Sequence, residues 1–546
     1  MSYTPKDPST IDLQNNLSAK DSHYGENIKS ISENRLSSKS NAIVASEKEK
    51  SYSYEEVLNI IGFGKTQYLM LLICGLLLMM VICETMGMSI ITIASQCDFG
   101  INSMEMALMS GAAFIGILCS SYVWGYLCDI YGRKPILVYT TLTGNLMSLI
   151  SIFIPNFWLF VFVRFVVGIF IAGASSTTYA YLGEFVAIRH RPVVINFTSM
   201  FVALAMTYVP AIAWLVLSMD WSLVISDSFS FRPWRLLTIF NILPGFIAIL
   251  VMTRAPDSPR ILMTRRKHEE AYEATNWIAK LNTGKTLRDF SVHKIYDENP
   301  TETDKLIPTT KSFFFYGSGQ IMKQMWLDTK PLFQKPHLLN FVICCIVMCG
   351  VFFVNSGMGL WYPAIQNRLG SIDDKSRMSI CEVIDASIEQ QNTNGTETVC
   401  DDTITRKSYI DSITFGLVYL GAYFVLGSII NPLGRKRTII LLLTVSATCG
   451  IILHWLLDPI AIVASFILFV MLPGLCVSIL SGAVVDLVPT HLRGKAVCIC
   501  LMLGRSGSVI GSNIIGVLLE SYCGITFGVF YAIVLVCAGL TLLLPI

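Results

Sequence analysis

Long apolar runs alternate with short polar segments along most of the chain. From about residue 67 onward, runs of roughly 18–25 residues with almost no charged side chain recur, and each could cross a hydrocarbon core of about 30 Å as a helix. The pattern predicts an all-α membrane protein with twelve transmembrane helices. The predicted spans, numbered one to twelve, cover approximately residues 67–95, 104–128, 136–154, 157–180, 192–217, 234–253, 338–363, 410–430, 438–456, 459–482, 496–518 and 524–545.

A long polar stretch separates the first six spans from the last six. This arrangement is typical of two homologous six-helix halves joined by a central loop. Residues 1–50 are rich in Ser, Asn, Lys and Glu and lack the apolar stretch of a signal peptide, so we expect them to be disordered. The predicted divisions are a disordered cytosolic N-terminal segment (1–66), an N-terminal half (67–253), a cytosolic central loop (254–337), a C-terminal half (338–546) and, within that half, a lumenal loop (364–409).

Basic residues concentrate in the loops that follow spans two, four, eight and ten. Because Lys and Arg favour the cytosolic side of a membrane, these loops and both termini are predicted to be cytosolic. Below, "cytosolic" and "lumenal" name these two predicted sides. The residues concerned are Arg133, Lys134, Arg189, Arg191, Arg435, Lys436, Arg437, Arg493 and Lys495.

The loop over 364–409 carries the signs of an oxidising, glycosylating compartment. Asn394 begins an Asn-Gly-Thr acceptor for N-glycosylation. Cys381 and Cys400 also lie in this loop and could form a disulfide, with Cys97 as a competing partner. We therefore expect a glycan on Asn394 and a Cys381–Cys400 bond.

Composition and motifs exclude several functional classes. Only 14% of residues are charged and the net charge is +2, without a basic stripe that would indicate nucleic-acid binding. The Gly-Lys-Thr sequences at 64–66 and 284–286 lack the earlier glycine of a phosphate-binding loop, so ATP hydrolysis is not predicted. Neither metal-ligand spacing nor a nucleophile with a base partner is recognisable. We expect no enzymatic activity, no cofactor and no metal.

The cytosolic end of span two has a distinctive sequence. Gly125 allows close helix contact, Asp129 is an acid at the end of the span, and Gly132-Arg133-Lys134 forms a basic turn. This pattern resembles the loop signature of the major facilitator superfamily. The resemblance implies that these residues form a cytosolic gate, in which the acid stabilises the contact between the halves. The alternative is that the basic residues only set the topology.

Further matches occur at corresponding places in the two halves. Span eight ends in Gly434 and Arg435, with Asn431 in the place of the acid. Span six is followed by Pro-Asp-Ser-Pro-Arg at 256–260, which resembles a signature of sugar and organic-ion carriers. The remaining matches are Arg164 in span four, Glu184 with Arg191 after it, and Asp486 with Arg493 after span ten.

Within the superfamily, the chain is most similar to the synaptic vesicle glycoprotein 2 group. The similarity is carried by Gly62–Tyr68 before span one, Gly75–Glu84 within it, Arg232–Arg235 before span six and Trp361–Pro363 in span seven. Val81 stands where that group tends to carry an Asp, and the lumenal loop is too short for the group's domain of repeated strands. We expect a relative of these proteins rather than a functional equivalent.

Placing an ionisable side chain inside a membrane span costs free energy, so each such residue is a candidate for a specific role. Glu84 in span one is a candidate site for a proton or cation, and Arg505 in span eleven is a candidate partner for a substrate carboxylate. The alternative is a buried ion pair that holds the halves in register. We expect a structural role for Arg164.

Aromatic residues offer a second set of candidates. Phe197 and Tyr208 in span five, with neighbouring Asn196, are predicted to line a cavity. Trp361 and Tyr362 could line it as well, or could anchor the end of span seven at the membrane interface. In the central loop, residues 265–281 predict an amphipathic helix that either helps control the inner gate or is a solvated connector.

Together these patterns predict a monomeric major facilitator protein. We expect it to move a small, charged organic solute by alternating access through the lipid bilayer, with proton coupling as one option, in the plasma membrane or a vesicle membrane. The alternative is a protein that has kept the fold but acts as a receptor or trafficking partner. Asn431 and the missing acid at Val81 favour the alternative, whereas the intact gate sequence of the first half favours transport.

Overall fold

The architecture is taken from a computed structural model. It describes residues 51–219, 221–226, 229–296, 323, 326–327, 329–335, 338–370, 378–393, 403–488, 493–519 and 521–545.

Every predicted span coincides with a helix, so the predicted all-α membrane architecture is confirmed. In chain order the helices that form spans one to six are α2 (Lys65–Met86) continued by α3 (Met88–Ala94), α5 (Ser103–Tyr131), α6 (Arg133–Ser151), α7 (Phe157–Glu184), α8 (Arg191–Leu217) and α9 (Pro233–Met252). Those that form spans seven to twelve are α12 (Leu338–Phe352) continued by α13 (Gly359–Gly370), α15 (Arg406–Leu433), α16 (Arg435–Ile452), α17 (Pro459–Leu487), α18 (Arg493–Leu518) and α19 (Cys523–Leu542).

Ten of these spans are apolar and long enough to cross a membrane on hydropathy alone, as judged over the described residues. The other two are spans three and nine, which occupy equivalent places in the two halves. Each begins with basic residues, at Arg133 and Arg435, and carries several Ser and Thr along its length. Their buried faces pack against neighbouring helices, which is how these more polar helices fit within the bundle.

Two spans are interrupted at small residues. In span one, Gly87 separates α2 from α3, and a Cβ at this position would lie 2.6 Å from the amide nitrogen of Asn241. In span seven, Phe353–Met358 forms a π-helical segment between α12 and α13. There, a Cβ on Gly357 would lie 2.9 Å from the Cα of Gly511 in span eleven. Glycine at these positions therefore permits close contact between helices.

The two halves meet along spans two and eleven and along spans five and eight. At the lumenal end of the first pair, a Cβ on Gly516 would lie 2.6 Å from the Ala107 Cβ. At its cytosolic end, a Cβ on Gly125 would lie 3.1 Å from the Cys498 sulfur. The second pair is equally close at Gly416, where a Cβ would lie 2.4 Å from the Thr207 hydroxyl. The halves are thus in contact on both sides of the membrane.

A small cytosolic layer packs under the N-terminal half. Strand β1 (Ser51–Ser53) pairs in parallel with β4 (Lys294–Tyr296), and helix α1 (Tyr54–Ile61) follows β1 directly. The layer also contains α10 (Pro259–Thr264) and α11 (His268–Thr283), which is the predicted amphipathic helix. Helix α11 buries one face, formed by Ala271, Ala274, Thr275, Ile278 and Ala279.

The prediction of disorder over 1–66 is wrong for residues 51–61. Helix α1 buries Tyr54, Val57, Leu58 and Ile61, which share a hydrophobic cluster with span four and α11. The segment is too short to stand out in a hydropathy profile, and its order comes from the surface on which it packs.

The lumenal side contains a short helix α4 (Gln96–Phe99), a β-hairpin and a disulfide bond. Strands β2 (Leu223–Ser226) and β3 (Phe229–Phe231) form the hairpin, and helix α14 (Ile380–Thr393) lies in the loop between spans seven and eight. A disulfide joins Cys381 at the start of α14 to Cys523 at the start of span twelve, with Cα atoms 5.6 Å apart.

The predicted Cys381–Cys400 bond is therefore wrong. Proximity in the sequence suggested it, but the folding of α14 against span twelve decides the partner. Cys97 is also disulfide-bonded. Cys400 and the glycosylation candidate Asn394 lie outside the described residues, so the glycan stays a prediction.

Candidate functional site

Glu84 and Arg164, assigned different roles from the sequence, form one buried ion pair. The Arg164 Nη1 lies 2.7 Å from the Glu84 Oε2, and each side chain is only 1% exposed. The hydroxyl of Ser148 in span three donates to the same oxygen at 2.8 Å. The guanidinium also lies 5.3 Å from the centre of the Phe160 ring. The pair therefore joins spans one, three and four inside the N-terminal half, away from the interface between halves.

Arg505 has a different environment, at the interface between the halves. Its guanidinium lies 3.4 Å from the Ser175 hydroxyl in span four and over the rings of Phe352 (4.9 Å) and Phe114 (5.8 Å). Within the described parts of the chain, no carboxylate lies within 4.0 Å of it. Arg505 is partly buried, and a cation removed from part of its water is energetically unfavourable unless another group compensates its charge.

Tyrosine hydroxyls extend from Arg505 toward span eight. Tyr179 in span four lies close enough to Arg505 to interact electrostatically, and its hydroxyl is 3.2 Å from that of Ser199. Tyr419 and Tyr423 stack on successive turns of span eight with ring centres 5.1 Å apart. Both lie near Tyr179 of the other half. A hydrogen-bonding surface beside a cation is thus built from both halves.

Span seven completes this cluster at its π-helical segment. Asn355 donates to the Val470 carbonyl at 3.0 Å, and Tyr419 and Asn355 both approach Gly474 in span ten, where a Cβ would clash with them. The sequence-based reasoning missed Tyr179, Tyr419, Tyr423 and Asn355. Their signal was partly available, because Asn355, Tyr419 and Tyr423 are polar side chains inside spans, whereas Tyr179 lies near the end of span four and did not stand out.

The predicted cavity residues of span five have different environments in the structure. Asn196 does reach the other half, since its amide donates to the Tyr423 carbonyl at 3.4 Å. Phe197 is 41% exposed, and its place in the cavity wall stays a prediction. Tyr208 donates to the Phe240 carbonyl at 3.0 Å within its own half.

Trp361 and Tyr362 are buried, which argues against a role as interfacial anchors. The Trp361 indole donates to the Ser512 carbonyl at 3.1 Å. Tyr362 packs between the rings of Phe415 and Phe466, with centres 4.9 and 5.2 Å away. Both residues therefore consolidate the lumenal part of the C-terminal half.

The predicted cytosolic gate is assembled around Arg133. Its guanidinium lies 2.7 Å from the Glu184 carboxylate and 3.8 Å from that of Asp129, one turn earlier on span two. Arg191, the other residue of this motif, donates to the Val186 carbonyl at 3.4 Å. Arg133, at the start of span three, therefore contacts the cytosolic ends of both span two and span four.

Gly132 fits its position for a steric reason. Its φ angle of 98° favours glycine, and a Cβ there would lie 2.4 Å from the Asp257 carboxylate. Asp257 accepts from the Lys134 backbone at 3.2 Å, and the Lys134 ammonium donates to the Ala255 carbonyl at 2.6 Å. The Pro-Asp-Ser-Pro-Arg segment is thereby tied to the turn between spans two and three.

The equivalent turn of the second half is less constrained. Gly434 also has a positive φ of 80°, but a Cβ there would meet nothing within 4 Å. Arg435 donates to the Gly482 carbonyl in span ten at 3.4 Å. The side chains of Asp486 and Arg493, the motif residues after span ten, lie outside the described residues.

Comparisons with known proteins agree with this architecture. A family model described as "Major Facilitator Superfamily" matches residues 73–371. The human synaptic vesicle glycoproteins 2B and 2C are similar, with 24% identity over 344 residues and 26% over 337 residues. These matches cover 61% and 60% of this chain but 50% and 46% of the relatives, so the chain spans about half the length of the curated relatives it matches.

Solved structures show the same fold at low sequence identity. The partially occluded inward-open xylose transporter XylE from E. coli is 15% identical, has a TM-score of 0.60, and is matched over 88% of this chain and all of that one. A crystal structure of a D-xylose-proton symporter is 14% identical with a TM-score of 0.55, covering 87% of this chain and 97% of that one. The protein is a multi-pass integral membrane protein, and its chain belongs to the major facilitator superfamily.

Proposed function

We propose that this protein transports a small organic anion across a membrane by alternating access. The observation that carries the proposal is Arg505, a partly buried cation at the interface between the halves with no carboxylate within 4.0 Å among the described residues. A substrate carboxylate would supply the missing negative charge. Tyr179, Tyr419 and Tyr423 would donate hydrogen bonds to other oxygens of the same solute.

The contacts between the halves suit such a cycle. The cluster around Arg505 takes side chains from spans four, seven, eight and eleven, so it changes shape when the halves move. In this structure the halves touch at both ends of spans two and eleven. Rocking of one half against the other would open the cytosolic or the lumenal contact in turn.

Glu84 is our candidate for proton coupling. A proton on Glu84 would remove the charge that holds Arg164, and the two side chains could then separate. Proton symport is described for one of the structural neighbours, the D-xylose-proton symporter. Loss of pH-driven uptake in Glu84→Gln, with exchange between loaded vesicles retained, is the corresponding test.

The alternative is that the fold now serves a receptor or trafficking role. It is favoured by the Glu84–Arg164 pair, which neutralises the one acidic side chain within the apolar part of span one. The similarity to synaptic vesicle glycoproteins is compatible with both functions. The plasma membrane and an intracellular vesicle membrane both suit either function.

A thermal-shift screen of the purified protein against organic anions, cations and neutral solutes tests the anion proposal. A ligand that binds only the folded state stabilises it by about 2.7 kcal/mol at one hundred times its Kd. We expect one anion class to raise the Tm of the wild type, to raise it less in Arg505→Lys, and to have no effect in Arg505→Gln. Stabilisation by cations or neutral solutes that persists in Arg505→Gln would contradict the proposal. If no solute in the panel changes the Tm of the folded protein, the result would favour the receptor role.

A further inference from the structure

The chain just before span seven is attached to the bundle at its predicted cytosolic end. We call its described residues, 326–327 and 329–335, the approach segment. It includes a short 3₁₀ helix, Lys330–Phe333, and span seven begins shortly afterwards at Leu338. Because a transmembrane helix ends at the membrane surface, the approach segment lies close to that surface.

Three contacts fix the approach segment on the bundle. The hydroxyl of Thr329 shares a hydrogen bond with that of Tyr122 in span two. The Leu332 side chain is fully buried in the hydrophobic core. The ring of Phe333 meets the ring of Phe341 in span seven edge-on, with centres 5.8 Å apart. The segment is thus attached to one helix of each half, and its position is defined.

An apolar surface stays uncovered on this attached segment. Trp326 is 61% exposed and Leu327 is 49% exposed, and the Trp326 ring stacks on that of Phe333 with centres 6.2 Å apart. On span seven, Leu339 and Ile346 are exposed two turns apart, which marks the side of this helix that faces lipid. Tryptophan is favoured at the membrane surface because its ring is apolar and its N–H is polar.

Lysines flank the exposed rings. Lys323 precedes Trp326, whereas Lys330 and Lys335 lie on either side of Phe333, and all three lysines are exposed. Among the described residues, no carboxylate lies within 4.0 Å of their ammonium groups. Exposed aromatic and aliphatic side chains with lysines around them are typical of segments that bind anionic lipid, because the rings enter the interface while the cations bind the headgroups.

We propose that the approach segment binds anionic phospholipids of the cytosolic leaflet. Trp326 and Leu327 enter the layer of headgroups, and the lysines bind lipid phosphates or carboxylates. The positive charge of the segment complements an anionic leaflet, and its place next to the start of span seven puts it within reach of that leaflet. These two features favour lipid over a protein partner. The site is separate from Arg505, so it does not depend on the transported solute.

Quenching of tryptophan fluorescence by brominated lipid tests the contact directly. The full chain is placed in phosphatidylcholine nanodiscs that contain the same small fraction of brominated phosphatidylserine or brominated phosphatidylcholine. The difference between the wild type and Trp326→Phe isolates the signal of Trp326, which is exposed and can be replaced without disturbing the core. We expect brominated phosphatidylserine to quench Trp326 more strongly than brominated phosphatidylcholine does.

The lysines are tested by paired substitutions. An exposed Lys near an anionic membrane surface changes the binding equilibrium by about fivefold. We therefore expect Lys330→Gln with Lys335→Gln to lower the preference of Trp326 for phosphatidylserine by about fivefold for each lysine. Lys280→Gln with Lys285→Gln is the matched control, because these lysines are also exposed on the cytosolic layer and the change in charge is the same. Each pair is compared with its own Trp326→Phe derivative.

Three outcomes would overturn the proposal. If neither lipid quenches Trp326, the exposed surface does not contact the membrane and a protein partner becomes the better occupant. Equal quenching by the two lipids would show contact without recognition of charge. An equal loss of preference in the control pair would show that only the overall charge of the protein matters. None of these outcomes bears on Arg505, so the lipid site and the anion proposal can fail independently.

Discussion

At the scale of single residues, the two charges predicted inside the membrane have opposite environments. Glu84 is neutralised within its own half by Arg164, whereas Arg505 points from one half to the other beside hydroxyls and aromatic rings. Both looked alike in the sequence, because each is a lone charge in an apolar run. Only the packing of spans one, three and four shows that Glu84 already has a partner.

The Glu84–Arg164 pair should behave as a coupled unit in stability measurements. Removing one partner of a buried ion pair leaves an uncompensated charge and costs about 3–5 kcal/mol. We therefore expect Glu84→Gln and Arg164→Met each to lower the free energy of unfolding strongly, and the double variant to lose less than the sum. Denaturant unfolding followed by tryptophan fluorescence measures this, and strictly additive losses would show that the two side chains do not interact.

Gly132 and Gly434 provide a matched comparison of two equivalent turns. Alanine is strained at both because of the positive φ, by about 1–2 kcal/mol. At Gly132 the new Cβ would also approach the Asp257 carboxylate at 2.4 Å, whereas at Gly434 it would meet open space. We expect Gly132→Ala to lower the Tm more than Gly434→Ala. Equal shifts would mean that the Asp257 contact does not constrain the first turn.

At the scale of elements, short segments differ most from the predictions. Helix α1 has only eight residues. It is stable because its buried side chains pack on a surface formed by span four and α11; these side chains are Tyr54, Val57, Leu58 and Ile61. The long spans needed no such context, since an apolar run of about 20 residues is helical in a membrane whatever its neighbours. Helix α11 was predicted in part, because the sequence showed its helical periodicity but not the surface on which it packs.

The disulfide bond between α14 and span twelve should be detected by disulfide mapping. We expect proteolysis without reductant to yield a peptide pair joined through Cys381 and Cys523. Cys381→Ser and Cys523→Ser should lower the Tm by the same amount, and the double variant by no more, because one bond is lost in each case; a native disulfide typically contributes about 2–5 kcal/mol. Recovery of a peptide that joins Cys381 to Cys400 would show that the sequence-based assignment holds instead.

At the scale of the whole molecule, the halves share a plan and differ in detail. The turn after span two is bound to the central loop through Asp257, whereas the turn after span eight has open space around Gly434. The cytosolic layer packs at the same end of the N-terminal half as the Arg133–Glu184 ion pair. The two halves therefore differ in the described contacts at their cytosolic ends.

The orientation of the bundle can be tested through Asn394. If the loop between spans seven and eight is lumenal, glycosidase treatment of protein from a eukaryotic host will increase its gel mobility, and Asn394→Gln will remove that shift. Asn16→Gln, at an acceptor sequence on the predicted cytosolic side, is the control and should leave the shift intact. A wild-type protein without any shift would count against the predicted topology.

The sequence by itself determined the twelve spans, the two halves and the superfamily. These follow from local properties, because hydrophobic length decides what crosses a membrane and a short motif at a span end marks a gate. The tertiary structure decided which charges pair, as in Glu84 with Arg164, Glu184 with Arg133 and Cys381 with Cys523. It also decided that Arg505 faces hydroxyls and rings. Such pairings depend on the rotation and depth of each helix in the bundle, and residues far apart in the chain set these together.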